Sequence, residues 1–327
     1  MVAAAMLGWA VLLGLAAPAA LRRAAWPARA PRLGLLLWQA ASVSFIVALI
    51  LGGLALAVPT TVVSGGLADL VTNCVMAIRD AYRTPAGAGA AGAGLVLAAG
   101  VTGRTGWCLC TGMYQAARRR RQHAQALTMV ARRDPSLGAL VVEHAAARAY
   151  CLPGRHATVV VTTGALTQLS ASQLVAVLAH EHAHVRARHH LVVAAAAGLA
   201  RAFPGVPLLR HAAVIVPALV EMAADDTAGR NTDRARVAAA LAALAGAATP
   251  SAALPAGGPG VLDRVQRLLR PAAPLSQAGT AAALAAAGLL VIAPALVAVA
   301  PAWSAGPMPD CRMPMTQTHA ASPSTLR

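Results

Sequence analysis

The segment AHEHAH, residues 179–184, places a glutamate between two histidines in a chain that contains only three glutamates. His180 and His184 are four residues apart, so on a helix both imidazoles project from one face, one turn apart. Glu181 lies beside His180, where its carboxylate can act as a general base without binding the metal itself. This H-E-x-x-H spacing is typical of a zinc site in which two neutral imidazoles bind the ion. His182 is turned about 200° from His180 and points away.

The sequence around the motif favours a regular helix. Ser170 is followed three residues later by Gln173, which is a capping-box pattern, and no proline occurs before Pro204. We therefore expect one helix over residues 171–203.

A His-rich polar helix face is the alternative interpretation of the motif, and the neighbouring His189 and His190 support it. Two Val-rich runs before the helix, residues 140–143 and 158–163, weigh against it, because they predict a small sheet next to a capped, amphipathic helix. The second of these strands could align an extended substrate.

A catalytic zinc needs a third protein ligand, and Glu221 is the one glutamate that follows Glu181 in the chain. Glu221 and Asp225 are four residues apart in a second helical pattern, so they share a face. We expect Glu221 to be the third ligand and Asp225 to accept the ring N–H of a ligand histidine. A solvated acidic helix turn is the alternative for this segment. The residue that would stabilise the oxyanion stays open among His182, His189, His190, Arg230 and Arg234.

Composition places this site in a membrane protein. The chain is 58% hydrophobic and 12% charged, and its mean hydropathy is +0.62. Four stretches are long and apolar enough to be transmembrane helices, at residues 2–21, 35–58, about 87–113 and 279–300. The third contains Arg104, whose long side chain could snorkel to the interface. The first could instead be a cleavable signal peptide.

The distribution of arginine predicts the orientation. The chain has a net charge of +16 and no lysine, and its arginines crowd the loop after the first span and the run Arg118–Arg121 after the third. By the positive-inside rule, both termini are then outside the plasma membrane, and the loop and the segment after the third span are cytoplasmic. Direct nucleic-acid binding is not expected, because an arginine cluster next to a span more often contacts anionic lipid.

Four regions follow. Residues 1–114 hold three transmembrane helices, residues 115–278 the cytoplasmic domain, residues 279–300 the last transmembrane helix and residues 301–327 a short external tail. Within the domain, residues 245–260 are expected to form a flexible linker, followed by a basic amphipathic helix at the membrane surface. Cys74 and Cys311 fall on the external side, either as a disulfide or as free thiols.

The order of VVVTTGAL, LVAVLAHEHAHVRARHH, FPGVPL and VEMAADDTA resembles the BlaR/MecR-type membrane zinc metallopeptidases in their compact actinobacterial form. More distantly, the two metal-site motifs are similar to those of HtpX-type membrane proteases. The resemblance covers residues 115–245 closely and the membrane layout more loosely.

The resemblance implies a membrane α-helical protein with a cytoplasmic α+β, zincin-like metallopeptidase domain of the gluzincin type. His180, His184 and Glu221 would bind one Zn²⁺ per chain, and Glu181 would be the base. Antibiotic-sensing members of the family cleave a winged-helix transcriptional repressor. The chain departs from them in its short tail, which leaves no room for a penicillin-binding sensor domain.

Three functions follow as expectations. The first is an integral membrane endopeptidase with a protein or peptide substrate, such as a cytoplasmic repressor. The others are an HtpX-like quality-control protease and a non-catalytic membrane signalling protein.

Overall fold

The computed structural model describes residues 1–57, 76, 79, 83–154, 157–246, 260–270 and 273–304. Its helices are α1 (Val2–Leu15), α2 (Ala17–Arg23), α3 (Pro31–Ala57), α4 (Pro85–Val130), α5 (Thr163–Gln168), α6 (Ala171–Arg186), α7 (His189–Ala202), α8 (Pro207–Asn231), α9 (Arg234–Gly246), α10 (Val261–Leu269) and α11 (Gln277–Ser304). Its strands are β1 (Ala131–Asp134), β2 (Ala139–Val142), β3 (Ala149–Leu152) and β4 (Thr158–Thr162). Residues 247–259 of the expected linker, residues 305–327 of the expected tail, Cys74 and Cys311 lie outside the described residues. Residues 245 and 246 belong to the end of α9, and residues 301–304 to the end of α11.

Within the described residues, five helical segments are long and apolar enough to cross a membrane: Val2–Arg23, Pro31–Ala57, Pro85–Val130, Pro207–Asn231 and Gln277–Ala298. Four of them overlap the stretches expected from the sequence. The fifth is α8, which the sequence analysis missed because the acidic residues in its second half shorten its uninterrupted apolar run. Helix α4 continues without a break through residue 114, where we expected the membrane region to end.

The sheet has the strand order β1-β2-β4-β3, with β2 and β4 parallel and the outer pairs antiparallel. The two expected strands correspond to β2 and β4, whose valines form the core: Val159, Val160 and Val161 are almost fully buried. The sequence analysis missed β1 and β3, because ARRD and AYCL are short and lack a Val-rich pattern. Strand β4 lies between two neighbours, so the expectation that it aligns a substrate is wrong, and the free edge on the site's side belongs to β3.

The expected single helix over 171–203 is two helices. The capping box forms as expected, with Gln173 N–H bonded to Ser170 Oγ and Ser170 N–H bonded to the Gln173 side chain. Helix α6 ends at Arg186, and Arg188 adopts a left-handed conformation with φ 51° and ψ 38° before α7 begins. The break was not visible in the sequence because neither glycine nor proline marks it.

Helices α7 and α8 form a hairpin that packs among the apolar helices. The shared core contains Leu13 of α1, Phe45 of α3, and Leu208, Leu209 and Val216 of α8. Phe203 in the hairpin turn packs edge to face on Phe45, with ring centroids 6.3 Å apart. The apolar stretches that flank Pro204 are therefore the walls and tip of this hairpin.

Two arginines fasten the hairpin to α4. Arg104 of α4 donates a hydrogen bond to the carbonyl oxygen of Ala202, the last residue of α7. Arg201 donates in return to the carbonyl oxygen of Cys108, at 2.8 Å. Carbonyl groups at a helix C-terminus have no partner within the helix and attract cations. Arg104 therefore has a structural role within the apolar first part of α4, before the run Arg118–Arg121.

Candidate metal centre

Helices α6 and α8 bring the three expected ligands together. One ligand atom from each of His180, His184 and Glu221 lies within 4.8 Å of the others. The Nε2 atoms of the two histidines are 3.0 Å apart, and each lies 3.5 Å from a carboxylate oxygen of Glu221. The four-residue spacing in α6 puts both rings on the face toward α8.

The donor set fits zinc. Two imidazole nitrogens and one carboxylate are ligands that catalytic zinc uses, and such a site keeps one position open. Two Nε2 atoms directed at the same point repel each other unless a proton or a cation lies between them. These three residues could therefore hold the metal that the motif implies.

Asp225 lies one helical turn beyond Glu221 and is fully buried. Its Oδ1 atom is 3.0 Å from Nδ1 of His180, on the side of the ring opposite Nε2. Nδ1 is buried and has no hydrogen-bond partner among the described residues, so this carboxylate oxygen is the acceptor available to it. In that arrangement Asp225 holds the proton on Nδ1 and leaves Nε2 free for a metal.

His189, the first residue of α7, lies against the second histidine of the motif. Its Nδ1 atom is 3.1 Å from Nδ1 of His184. When Nε2 of neutral His184 is free to bind a metal, the ring proton is on Nδ1. This N–H then donates a hydrogen bond to Nδ1 of His189. The helix break at Arg188 makes this contact possible, because it changes the direction of the chain between the two residues.

The two histidines of the motif differ in proton affinity. Burial lowers the pKa of His180, but the carboxylates of Asp225 and Glu221 outweigh it and raise this pKa to about 9. Burial lowers the pKa of His184 to about 4, and the nearby His180 adds to this effect. Without a metal, the pair therefore shares one proton near neutral pH.

Burial raises the pKa of the Glu181 carboxyl, which brings it closer to the range of a useful general base. The Cys151 thiol, on the edge strand β3, interacts with this carboxylate. Burial, together with the negative charge of Glu181, raises the pKa of Cys151 to about 12. The thiol therefore stays protonated beside the base.

Arg264 of α10 completes the site, and the sequence analysis did not identify it. Its Nε and Nη2 atoms bond both oxygens of Asp225 at 2.8 and 2.7 Å, and Nη1 lies 3.0 Å from Glu221. Arg267, one turn later, pairs with Asp226 at 2.9 and 2.7 Å. The expected basic amphipathic helix is α10, which packs one face against the protein with Arg264 buried; its position at the membrane surface stays a prediction. The adjacent acids Asp225 and Asp226 were the signal, because buried carboxylates need cations.

The five candidates for oxyanion stabilisation separate into two groups. Nδ1 of His182 lies 2.7 Å from the carbonyl oxygen of Leu178, Arg230 bonds Thr227, and Arg234 bonds Asp226. None of these three lines the cavity at the metal site. His189 and His190 do line it.

We call this space the site cavity. It has a volume of about 710 Å³ and reaches from the metal-site residues to α4. Its lining residues are Ala116, Arg120, Cys151, Pro153, His184, His189, His190, Val193, Ala194, Ala197, Pro217, Ala218, Val220, Glu221, Gly260, Val261 and Arg264. Two of the three potential ligands, His184 and Glu221, therefore line this cavity together with Cys151 of β3, whose thiol interacts with Glu181.

Comparison with known proteins gives one match. The sequence model of peptidase family M48 matches residues 114–213, about a third of the chain. Neither curated proteins nor solved structures give a match. The matched segment includes the sheet, α6, α7 and the H-E-x-x-H motif, and it ends before Glu221. Residues 114–213 therefore carry a domain of peptidase family M48, which supports the assignment of the chain as a metallopeptidase.

Proposed function

We propose that this protein is an integral membrane, zinc-dependent endopeptidase. The observation that carries the proposal is the convergence of His180, His184 and Glu221 beside Glu181, with His184 and Glu221 lining a cavity of about 710 Å³. The family match supports the same chemistry. The gluzincin ligand set and one Zn²⁺ per chain are part of the proposal.

Zinc held by these three residues would polarise the scissile carbonyl and acidify water. Glu181 takes the proton from the attacking water and returns it to the leaving amine. Asp225 keeps His180 in the required tautomer, while Arg264 holds the Asp225 and Glu221 carboxylates in place. The free edge of β3 aligns the substrate by backbone hydrogen bonds.

The membrane arrangement is also part of the proposal. The arginines around the first loop and after the third span favour a cytoplasmic catalytic domain, with residues 115–278 between the spans. Helix α8 does not add a crossing in this arrangement. It returns antiparallel to α7, and about 14 residues, or 21 Å, separate its first residue from Glu221. The α7–α8 hairpin therefore enters the bilayer and comes back to the same side.

For the substrate, we propose regulatory cleavage of a cytoplasmic protein such as a winged-helix transcriptional repressor. The order of the motifs supports this choice, because it resembles the BlaR/MecR type. An HtpX-like quality-control protease uses the same site on damaged membrane proteins. A non-catalytic signalling protein would keep the fold without turnover, and the position of Glu181 next to the potential ligand His180 argues against it.

The test compares two variants of the purified, detergent-solubilised protein. Glu181→Gln is nearly isosteric and should retain zinc, while cleavage of casein or of a repressor falls by about 10²- to 10⁴-fold. His182→Ala is the matched control, because that ring bonds Leu178 on another face of α6. It should retain both zinc and activity. A Glu181→Gln protein that cleaves at the wild-type rate would falsify the hydrolase assignment.

A further inference from the structure

The site cavity has two chemically different parts beyond the metal-site residues. Between α7 and α8 its wall is apolar and made of small side chains, with Val193, Ala194 and Ala197 on one helix and Pro217 and Ala218 on the other. Small residues leave the space that a larger apolar side chain of a ligand could fill. This part of the cavity is continuous with His184 and Glu221.

A second part of the lining is basic. Arg120 of α4 lines the cavity, is partly buried, and forms no ion pair with the carboxylates that the structure describes. His190 lines the same region, and its Nδ1 atom is buried without a hydrogen-bond partner among the described residues. Arg120 and His190 therefore line the same cavity. Burying a cation and a polar nitrogen without partners is costly, so this end favours an anionic ligand.

We infer that the site cavity selects peptides with a large apolar residue next to the scissile bond and an acidic side chain that binds Arg120 and His190. The inference rests on the proposed function and adds a specificity to it. A peptide is favoured over a lipid because the cavity also contains His184, Glu221 and the edge strand β3. The acidic side chain is selected by its charge complementarity to Arg120. The apolar side chain is selected because it fills the space between α7 and α8.

Binding tests the acidic preference without turnover. The probes are pairs of fluorescent peptides with the same Leu-containing sequence, and the two members of a pair differ only by Glu or Gln at one position. The position is moved along the sequence from pair to pair. Each peptide is titrated into zinc-loaded Glu181→Gln protein in neutral detergent. At one position the Glu peptide should bind about tenfold tighter or more, as expected for a charge-assisted hydrogen bond. When Arg120→Gln is added to this variant, the Glu and Gln peptides should bind with equal affinity. Arg119→Gln is the control, because Arg119 is exposed and outside the cavity.

The apolar preference is tested by filling the cavity. Peptides with Leu next to the scissile bond should bind about tenfold tighter than those with Ala, since each lost methylene in an apolar pocket weakens binding several-fold. Ala197→Phe should remove this difference while the Glu-to-Gln ratio persists. A Leu-to-Ala ratio that is unchanged in Ala197→Phe overturns the apolar part of the inference.

The remaining outcomes separate the inference from the proposed function. A Glu-to-Gln ratio of one at every position, or a ratio that survives Arg120→Gln, overturns the acidic specificity. If Arg120→Gln changes only retention on phosphatidylglycerol vesicles, the arginine binds lipid and the inference is wrong. If the peptides bind as expected but the wild-type protein cleaves none of them, the specificity stands and the peptidase proposal fails.

Discussion

At the scale of single residues, each potential ligand has a different supporting group. His180 is held by Asp225, His184 by His189, and Glu221 by Arg264. These partners come from three helices, α8, α7 and α10, so no single element determines the geometry of the centre. Groups of this kind orient ligands and commonly change metal affinity 10- to 100-fold when they are removed.

The first prediction concerns the third ligand. Glu221→Gln should sharply reduce zinc per chain after dialysis, because an amide is a poorer zinc ligand than a carboxylate. Metal analysis of the purified protein measures this. Glu143→Gln is the matched control, since Glu143 is exposed and outside the cavity. Metal content that is unchanged in Glu221→Gln would remove this residue from the ligand set.

The second prediction concerns pH. The pKa values of about 9 for His180 and about 4 for His184 mean that the metal-free pair carries one proton at neutral pH. Zinc needs both imidazoles neutral, so its binding should release roughly one proton and its Kd should fall about tenfold per pH unit between about pH 6 and 8. Chelator competition at several pH values, corrected for the chelator's own protonation, gives the slope. A Kd independent of pH would contradict the proton-sharing arrangement.

The sequence identified the site residues that are close to one another along the chain. The positions of His180, Glu181 and His184 follow from helical periodicity, and the scarcity of glutamate pointed to Glu221. It could not find Arg264, because that contact depends on tertiary packing of a segment about 40 residues beyond its partner. The sequence analysis considered His189 only as a candidate for oxyanion stabilisation and not as a partner of His184, because the helix break that turns this ring toward His184 has no glycine to reveal it.

At the scale of elements, the junction between α6 and α7 and the position of α10 matter most. The left-handed Arg188 costs roughly 1 kcal/mol relative to an ordinary conformation. The structure keeps it because the break brings His189 back to the metal site. Helix α10 fastens the end of the domain to α8 through two arginine–aspartate pairs.

A third prediction follows for the junction. Arg188→Gly should stabilise the protein, by up to about 1 kcal/mol, because glycine adopts the left-handed conformation without strain. Arg186→Gly, within α6, should destabilise it by up to about 1 kcal/mol. Thermal unfolding of the purified variants in the same detergent compares the two. A loss of stability in both variants would show that the Arg188 side chain matters more than its backbone.

The fourth prediction concerns α10. Arg264→Gln leaves the fully buried Asp225 without its cation, which should cost roughly 3–5 kcal/mol of stability and weaken zinc retention. Arg264→Lys should recover part of both, because it keeps the charge but not the two parallel bonds. Arg270→Gln, an exposed position just after α10, is the control and should behave like wild type. Thermal unfolding and metal analysis are the readouts. Wild-type stability in Arg264→Gln would contradict the importance of this pair.

At the scale of the whole molecule, the catalytic elements and the apolar helices form one packed unit. The α7–α8 hairpin contacts α1, α3 and α4 and also supplies Glu221. The sequence predicted the apolar helices and the small sheet, because both depend on composition and periodicity. It did not predict that the hairpin would join them, since an apolar run of about 15 residues fits a buried helix and a membrane hairpin equally well.

The fifth prediction tests the membrane orientation. A reporter fused after Gly260 should be cytoplasmic and one fused after Ala302 external, because α7 and α8 return to the side from which they start. Enzymatic reporters that are active on only one side of the membrane distinguish the two. The reverse pattern would place the catalytic domain outside the cell.

The hydrogen bond from Arg104 to Ala202 has a consequence for the order in which the protein is made. Helix α4 leaves the ribosome about 100 residues before Ala202, so in a bilayer its guanidinium first lacks this carbonyl partner, at a cost of a few kcal/mol. Arrival of the hairpin relieves that cost, and the same hairpin carries Glu221. In the proposed membrane peptidase, a nascent chain would therefore have no complete metal centre until the hairpin has packed on α4, because Glu221 arrives with that hairpin.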